Sequence, residues 1–183
     1  RTKPIAGTLR KTKHLNKNKA LTFFRRNEKE TKEHNMIVDM ERNDLSKICK
    51  TGSVKIDKLK KVEEYRDLFH YVTTIKGVIK NKMSNHDIIS SLMPGGSVIG
   101  CPKISTIQLL NRKEKFDRNI YTGSFGIIHS NGDMRFNIMI RTLLNFKNDI
   151  ELSVASGVIL GSTANKEYNE NYIKAKSLLD LFN

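Results

Sequence analysis

The stretch IYTGSFGIIHSNGDMRFNIMIRTLLNF, residues 120–146, indicates the fold class of this chain. Apolar residues alternate with other residues on both sides of Asn131-Gly132, a dipeptide that favours the type I′ turn of a β-hairpin. We therefore predict two antiparallel strands joined at this turn and a third strand at residues 150–160. Because helical patterns precede and follow these strands, the sequence predicts an α+β fold in which antiparallel sheets are flanked by helices.

The remaining elements follow from hydrophobic periodicity. Spacings of three and four residues predict helices over residues 28–48, 86–93, 103–115 and 164–182, the last of them capped by Ser162 or Thr163. Alternating residues predict further strands at 53–57 and 70–79. Residues 10–29 are polar and basic, and we expect them to form a mobile surface connection that is in part helical.

Composition limits the class of protein. The chain has 183 residues, of which 38% are hydrophobic, and this is enough for one domain with a core. No segment has the length of a membrane span, and the basic start lacks the apolar stretch of a signal peptide. Cys49 and Cys101 stand far apart without a CxxC pattern, which argues against a disulfide framework or a zinc site. We therefore expect a cytoplasmic protein without a membrane partner.

The charge of the chain is strongly positive, with 33 Lys and Arg against 19 Asp and Glu and a formal net charge of +14. A basic nucleic-acid-binding module is one interpretation of this balance. The lysines are spread along the chain, however, and neither an RNA-binding signature nor a set of stacking aromatic residues accompanies them. We therefore expect no nucleic-acid partner, whereas an electropositive cleft for a small anion is compatible with the charge.

Two predicted helices carry carboxylates on a face that becomes apolar further along. These faces consist of Glu30, Glu33, Ile37 and Met40 in the helix at 28–48, and of Glu167, Glu170, Lys174, Leu178 and Leu181 in the last helix. Turned inward, two acidic helix starts would clamp one hard cation such as Mg²⁺ through oxygen ligands. Solvated helix ends, with Glu170 and Lys174 as a surface pair, explain the same spacing, and on spacing alone this explanation is favoured.

Three further features have the chemistry of a binding site. Arg141 lies on the side of its predicted strand opposite the apolar face, so its guanidinium is either solvated or lines a pocket for a carboxylate. His70 opens a predicted strand and is a candidate general acid or base, although a hydrogen-bonded structural histidine is the commoner case. The glycine-rich stretch PGGSVIGCPK, residues 94–103, is by its residues alone a tight loop rather than a ligand site.

Seven segments together point to one family. They are PIAGT (4–8), EHNMIVDMERNDL (33–45), HYVTTIKG (70–77), PGGSVIGCPK (94–103), YTGSFG (121–126), FNIMIRT (136–142) and EYNENYIK (167–174). In order and spacing they resemble the chorismate-utilising enzymes, which include anthranilate synthase component I, aminodeoxychorismate synthase component I and the isochorismate and salicylate synthases. The resemblance covers nearly the whole chain, and we expect residues 1–183 to be the C-terminal part of a chorismate-binding catalytic domain whose N-terminal part precedes them.

The resemblance also implies a ligand set and a substrate site. Glu33 and Glu170 match the glutamates that bind Mg²⁺, which bridges to the ring carboxylate of chorismate, and Glu30 and Glu167 match acids that support the ion or its waters. The implied substrate contacts are His70 beside the departing hydroxyl, Tyr121 and Arg141 on the enolpyruvyl carboxylate, Ser97 and Gly157 along the pocket, and Lys174 near the metal-bound carboxylate.

Two positions bear on the member of the family. The PGGS of residues 94–97 resembles aminodeoxychorismate synthases, which aminate chorismate to 4-amino-4-deoxychorismate with ammonia from a separate glutamine amidotransferase subunit. Ala6 stands where many of these enzymes carry a nucleophilic lysine, and alanine there is typical of anthranilate synthases and of a subgroup of aminodeoxychorismate synthases. We favour the aminodeoxychorismate synthases and keep anthranilate synthase as the alternative. One departure is Ala155-Ser156, which replaces part of the glycine run usual before Gly157.

Overall fold

The computed structural model describes residues 1–146 and 149–182, with the backbone alone for Ser177. The chain forms two compact units, Arg1–Ser105 and Thr106–Asn183. The first unit contains β1 (Ile5–Arg10), α1 (Lys17–Arg26), α2 (Glu28–Ile48), β2 (Lys55–Glu64), β3 (Leu68–Lys76), α3 (Asn85–Leu92), α4 (Gly96–Ile99) and the start of α5 (Lys103–Lys113). The second unit contains the rest of α5 and β4 (Ser124–Ile128), β5 (Met134–Ile138), β6 (Leu143–Phe146), β7 (Asp149–Leu152) and α6 (Ala164–Leu179).

A three-stranded antiparallel sheet forms the centre of the first unit. Its strand order is β1-β3-β2, so β3 pairs on both edges. Buried side chains of this sheet pack with those of the helices in two clusters, one of Ala20, Phe24, Val62, Phe69 and Tyr71 and one of Val38, Leu45, Ile48, Cys49 and Ile75. The rings of Phe24 and Tyr71 stack with centroids 4.9 Å apart. The α1 and α2 helices are therefore held to the sheet by a real apolar core.

The α2 helix has the predicted bounds, because local and tertiary signals agree there. Asn27 caps it, with its Oδ1 accepting the Glu30 N–H at 3.2 Å. Its buried face consists of His34, Val38, Asp44, Leu45 and Ile48, which recur at helical spacing. Two members of that face are polar, and their partners lie far along the chain.

The prediction of a surface connection at residues 10–29 is wrong for α1. This helix buries Ala20 and Phe24 completely, because their spacing of four residues places both on the face that meets the sheet. A single pair of apolar residues among many polar ones is a weak periodic signal. The helical part of the expectation is confirmed.

The first two strands also differ from the prediction. The β1 strand was not expected, and β2 is longer than the predicted strand at 53–57. Its pairing with β3 shifts register on both sides of Lys58, and Lys60 has a positive φ of 47° while its N–H donates to Thr73 Oγ1 at 3.0 Å. Such irregularities interrupt the alternation by which a strand is recognised in a sequence.

In the described part of the second unit, β4 pairs with β5 and β6 pairs with β7, both antiparallel. The predicted hairpin at Asn131-Gly132 is confirmed as β4 paired with β5, but its turn is not type I′. Only Gly132 of the two residues has a positive φ, of 85°, and its N–H donates to the carbonyl of His129 at 2.9 Å. The loop is therefore longer than a two-residue turn, and it ends on a glycine in the left-handed region.

The second hairpin corrects the predictions for Arg141 and for residues 150–160. The β5 strand ends at Ile138, and Arg141 lies beyond it with a positive φ of 51°, so it does not belong to a strand face. The chain then forms β6 and β7, and the strand predicted at 150–160 stops at Leu152.

Within the described residues, no helix is both long and apolar enough to span a membrane.

Candidate functional site

Glu30 and Glu33 lie in the first turns of α2, and both are partly buried. The carboxylate of Glu30 faces β1, with its Oε2 only 3.0 Å from the position that a Cβ on Gly7 would take. Gly7 also has a φ of 95°, which L side chains rarely adopt. The glycine of PIAGT therefore lets the acidic end of α2 approach β1 closely, whereas spacing alone favoured a solvated helix end.

His34, next to Glu33, was not among the predicted site residues. It is fully buried, its Nε2 lies 2.6 Å from Thr73 Oγ1, and its ring packs against Tyr71 at 4.8 Å between centroids. Burial lowers the pKa of His34, so its neutral form is favoured. This contact fixes the start of α2 on β3 and with it the place of Glu33. The sequence signal for it was the pair EH, which stands within a quoted motif.

His70 lies on β3, opposite Thr8 of β1 and Glu63 of β2. Its Nδ1 is 3.1 Å from Thr8 Oγ1, and the edge of its ring meets Tyr65 at 5.3 Å between centroids. Because side chains alternate along a strand, His70 lies on the face of the sheet opposite Phe69 and Tyr71, which pack toward the helices. Hydrogen bonding by Lys3 is the largest cause that lowers the pKa of Glu63, and the Tyr65 hydroxyl adds to it.

Ser97 lies on the one-turn helix α4, which was not predicted. Its Oγ is 3.4 Å from Glu41 Oε1, and the other oxygen of that carboxylate accepts the Thr2 hydroxyl at 2.6 Å. Gly96 is buried, and a Cβ there would meet Cys101 Sγ at 2.9 Å. The glycine is required by packing within the loop, in agreement with the expectation of a tight turn.

Tyr121 lies in the second unit, where a bidentate ion pair supports it. Arg118 donates to the two oxygens of Glu114 at 2.8 and 2.6 Å, and its guanidinium lies 5.9 Å from the Tyr121 ring centroid. Burial raises the pKa of Tyr121, so its hydroxyl remains a hydrogen-bond donor. A cavity of about 10 Å³, which is room for about one water, adjoins this ring. Exposed Arg141 does not line it.

The acidic end of α6 carries three of the predicted residues. Glu167 is buried, and partly buried Glu170 pairs with Lys174 through a contact of 2.8 Å. This is the pair that the spacing of four residues predicted. Lys174 Nζ also donates to the carbonyl of Ala155 at 3.3 Å, so its charge serves two partners.

The segment before Gly157 is attached to the same helix. Ser156 Oγ lies 2.9 Å from the carbonyl oxygen of Glu167 and 2.6 Å from Asn171 Oδ1. These contacts keep Gly157 next to the acidic end of α6. Sequence analysis treated Ser156 only as a departure from a glycine run, whereas it is the residue that docks this segment.

Each unit thus contributes one pair of predicted carboxylates, Glu30 with Glu33 and Glu167 with Glu170. In residues 1–146 and 149–182, no group of three or more His, Cys, Asp or Glu side chains is arranged to hold a metal ion. Mg²⁺ in proteins needs only one or two carboxylates, with water or substrate as its other ligands. Each pair, taken by itself, therefore offers oxygen donors of the kind that this ion takes.

A family model for chorismate binding enzymes matches residues 1–180. The chain belongs to the chorismate-binding enzyme family. The family and the fold class predicted from the sequence are confirmed.

Relatives within this family carry different names. An anthranilate synthase component I-like protein of Synechocystis and aminodeoxychorismate synthase component 1 of Bacillus subtilis are each 37% identical to the chain, over 97% and 95% of its length. The chain spans 37% of the length of either relative. The crystal structure of anthranilate synthase component I from Streptococcus pneumoniae matches 96% of the chain and 39% of its own length, with a TM-score of 0.77 and 35% identity.

Proposed function

We propose that this chain is part of an aminodeoxychorismate synthase component I, which converts chorismate and ammonia to 4-amino-4-deoxychorismate and water. The family match over residues 1–180 carries the assignment to chorismate chemistry. The PGGSVIGCPK loop favours aminodeoxychorismate synthase over anthranilate synthase. The Bacillus subtilis relative named aminodeoxychorismate synthase component 1 supports this choice.

Four carboxylates are proposed to serve a divalent cation. Glu33 and Glu170 would bind Mg²⁺ directly, while Glu30 and Glu167 would hold it through water or orient its ligands. When bound, the ion supplies Lewis acidity toward the ring carboxylate of the substrate. The Glu30 carboxylate lies close to Gly7, where a larger residue would displace it.

The remaining site residues are proposed to bind and orient chorismate. Tyr121 and Arg141 would hold the enolpyruvyl carboxylate, the phenol by donating one hydrogen bond and the guanidinium by donating two. Ser97 and Gly157 would line the ring, and Lys174 would balance the charge near the ring carboxylate. The Thr8 hydroxyl orients the His70 ring, which is proposed to assist the departure of the substrate hydroxyl as water.

Ammonia is the proposed nucleophile because position 6 offers none. Ala6 is buried and its methyl group cannot form a covalent intermediate with the ring. A glutamine amidotransferase subunit is the proposed source of ammonia. Free ammonium would then replace that subunit in a test reaction.

Anthranilate synthase component I is the second candidate, favoured by Ala6 and by the names of two of the similar proteins. In that reaction the enolpyruvyl group leaves as pyruvate. The site residues proposed above would act on the same substrate, but ammonia would add at carbon two of the ring instead of carbon four, and the enolpyruvyl group would then be eliminated.

The full-length protein, supplied with chorismate, Mg²⁺ and ammonium, tests both candidates by product mass. A product that keeps the enolpyruvyl group and has exchanged a hydroxyl for an amine confirms the first proposal. Anthranilate together with pyruvate would support the second candidate. Unchanged chorismate, against a control enzyme of known activity in the same mixture, would overturn both.

A further inference from the structure

Asp44 is a buried carboxylate of α2 that lies outside the residues proposed to touch the substrate. Its side chain is 4% exposed, and its Oδ2 lies 2.7 Å from Lys103 Nζ. The other oxygen, Oδ1, pairs with Lys47 Nζ at 3.0 Å, and Gly96 donates its N–H to Oδ2 at 3.4 Å. A carboxylate this deeply buried is tolerated only when it is paired, so the contacts of Asp44 fix its surroundings.

Lys103 is placed where its charge is otherwise unfavourable. It is the first residue of α5, and the start of a helix carries a partial positive charge that disfavours lysine. Its amine instead faces Asp44 and also donates to the carbonyl of Leu92, the last residue of α3, at 3.4 Å. The Lys103 ammonium group therefore joins both ends of the glycine loop, residues 93–102, to α2.

The middle of the glycine loop is fastened to the same helix. Gly96 is buried, and a Cβ at this position would meet Cys101 Sγ at 2.9 Å and Met40 Cβ at 3.5 Å. Its N–H is one of the donors to Asp44. Close packing and this hydrogen bond together fix how the loop sits on α2.

Ser97 follows Gly96 directly and meets the next carboxylate along the helix. Glu41 precedes Asp44 by three residues, so the two carboxylates share a face of α2. Glu41 Oε1 lies 3.4 Å from Ser97 Oγ, and Thr2 holds its Oε2 at 2.6 Å. Asp44 fixes the position of Gly96, and the direction of the Ser97 hydroxyl therefore depends on Asp44.

We propose that Asp44, through its ion pair with Lys103 and its bond to Gly96, is a positioning residue that sets the Ser97 hydroxyl for the ligand. This inference rests on the proposed function, in which Ser97 touches the cyclic dicarboxylate substrate. Asp44 itself does not contact that substrate.

Hydrogen exchange in the full-length protein tests the structural half of the proposal without any turnover. Asp44→Asn and Lys103→Met are each expected to speed amide exchange at residues 95–100 about tenfold, because loop fluctuations lose a charged anchor. Lys103→Arg keeps the charge and is expected to restore slow exchange. Lys47→Met is the matched control, since Lys47 pairs with the same carboxylate from within α2. Unchanged exchange in a folded Lys103→Met protein would overturn the proposal.

Steady-state kinetics test the functional half. Asp44→Asn is expected to raise the KM for chorismate about tenfold and to change kcat by less than about threefold. Combined with Ser97→Ala, it should add little to the effect of Ser97→Ala alone, because both changes remove one hydroxyl contact. Fully additive effects would refute positioning through Ser97. An unsubstituted enzyme that does not turn over chorismate would refute the proposed function, while the exchange comparison would still decide whether Asp44 anchors the loop.

Discussion

The two units of the chain bury their side chains to very different extents. The first unit has two apolar clusters in which residues such as Phe24 and Ile75 are completely buried. Among the described residues of the second unit, Thr122, Glu167 and Ala175 alone are buried, while Phe125 is 71% exposed. The apolar residues of the second unit are as large as those of the first, so composition does not cause the difference.

This contrast teaches which interactions define each unit. A sheet of three strands covered by two helices encloses a core, whereas a two-stranded hairpin has no opposite layer of its own and is marginal in water. Within this chain, backbone pairing, tight turns and ion pairs are therefore the main described contacts of the second unit. The following predictions are arranged from the largest expected effect to the smallest.

Glu170→Ala tests whether the second unit supplies a residue that catalysis requires. We expect this change to abolish magnesium-dependent turnover in the full-length protein, because it removes a proposed ligand of the cation. Asp180→Ala, at the exposed end of the same helix, is the matched control. Normal product formation by Glu170→Ala would refute the metal assignment.

Replacing one phenylalanine in each unit compares how much a side chain of that unit contributes to stability. Phe24→Ala is expected to lower the free energy of unfolding of this 183-residue chain by about 3–5 kcal/mol, because it leaves a cavity. Phe125→Ala is expected to cost less than about 0.5 kcal/mol, as exposed sites usually do. Urea unfolding followed by circular dichroism gives both values. Equal costs would show that Phe125 has a buried environment in solution.

Arg141→Ala examines whether an exposed residue of the second unit binds the ligand. We expect chorismate affinity to fall by about 2–4 kcal/mol, the effect of losing a charged hydrogen-bond partner. Arg135→Ala, which removes an exposed guanidinium from β5, is the control for net charge. An unchanged KM in Arg141→Ala would count against the assignment of the carboxylate.

Two glycine substitutions test how strongly close backbone packing stabilises the hairpin of β4 and β5. A Cβ on Gly126 would overlap the carbonyl oxygen of Arg135 and the Phe136 ring, so Gly126→Ala forces β4 away from β5. We expect it to destabilise this hairpin by about 1–3 kcal/mol through overpacking. Gly132→Ala, with open space but a left-handed φ, should cost about 1 kcal/mol. Amide exchange in β4 and β5 compares the two, and an equal effect would contradict the packing argument.

The smallest predicted effect concerns the ion pair beside Tyr121. Hydrogen bonding by Arg118 lowers the pKa of Glu114, so the folded state favours the carboxylate and the pair stabilises above the ordinary glutamate pKa. Because Glu114 is partly exposed, Glu114→Gln should cost only about 0.5 kcal/mol at pH 7. The difference from the unsubstituted chain should vanish as the pH falls through the lowered pKa. Unfolding series at several pH values measure this difference in the free energy of unfolding. A difference that grew as the pH fell would contradict the prediction.

Several elements could be predicted from the sequence because their signals are local. The spacing of apolar residues gives the bounds of α2, and Asn131-Gly132 locates the hairpin of β4 and β5. The same helical spacing places Glu30 and Glu33 on one face, but their partial burial comes from the packing of α2 against the sheet. The residues of α1, by contrast, carry too few apolar side chains for a clear period.

The sequence by itself determined the family, the α+β class and the acidic faces of α2 and α6, since all three depend on residue types at short and regular spacings. Only the tertiary structure decided which polar groups are buried and what they pair with. His34 meets Thr73, and Asp44 meets Lys103, across long stretches of chain that no periodic pattern connects. A buried polar group is stable only with a partner, and that partner is chosen by the packing of the whole unit.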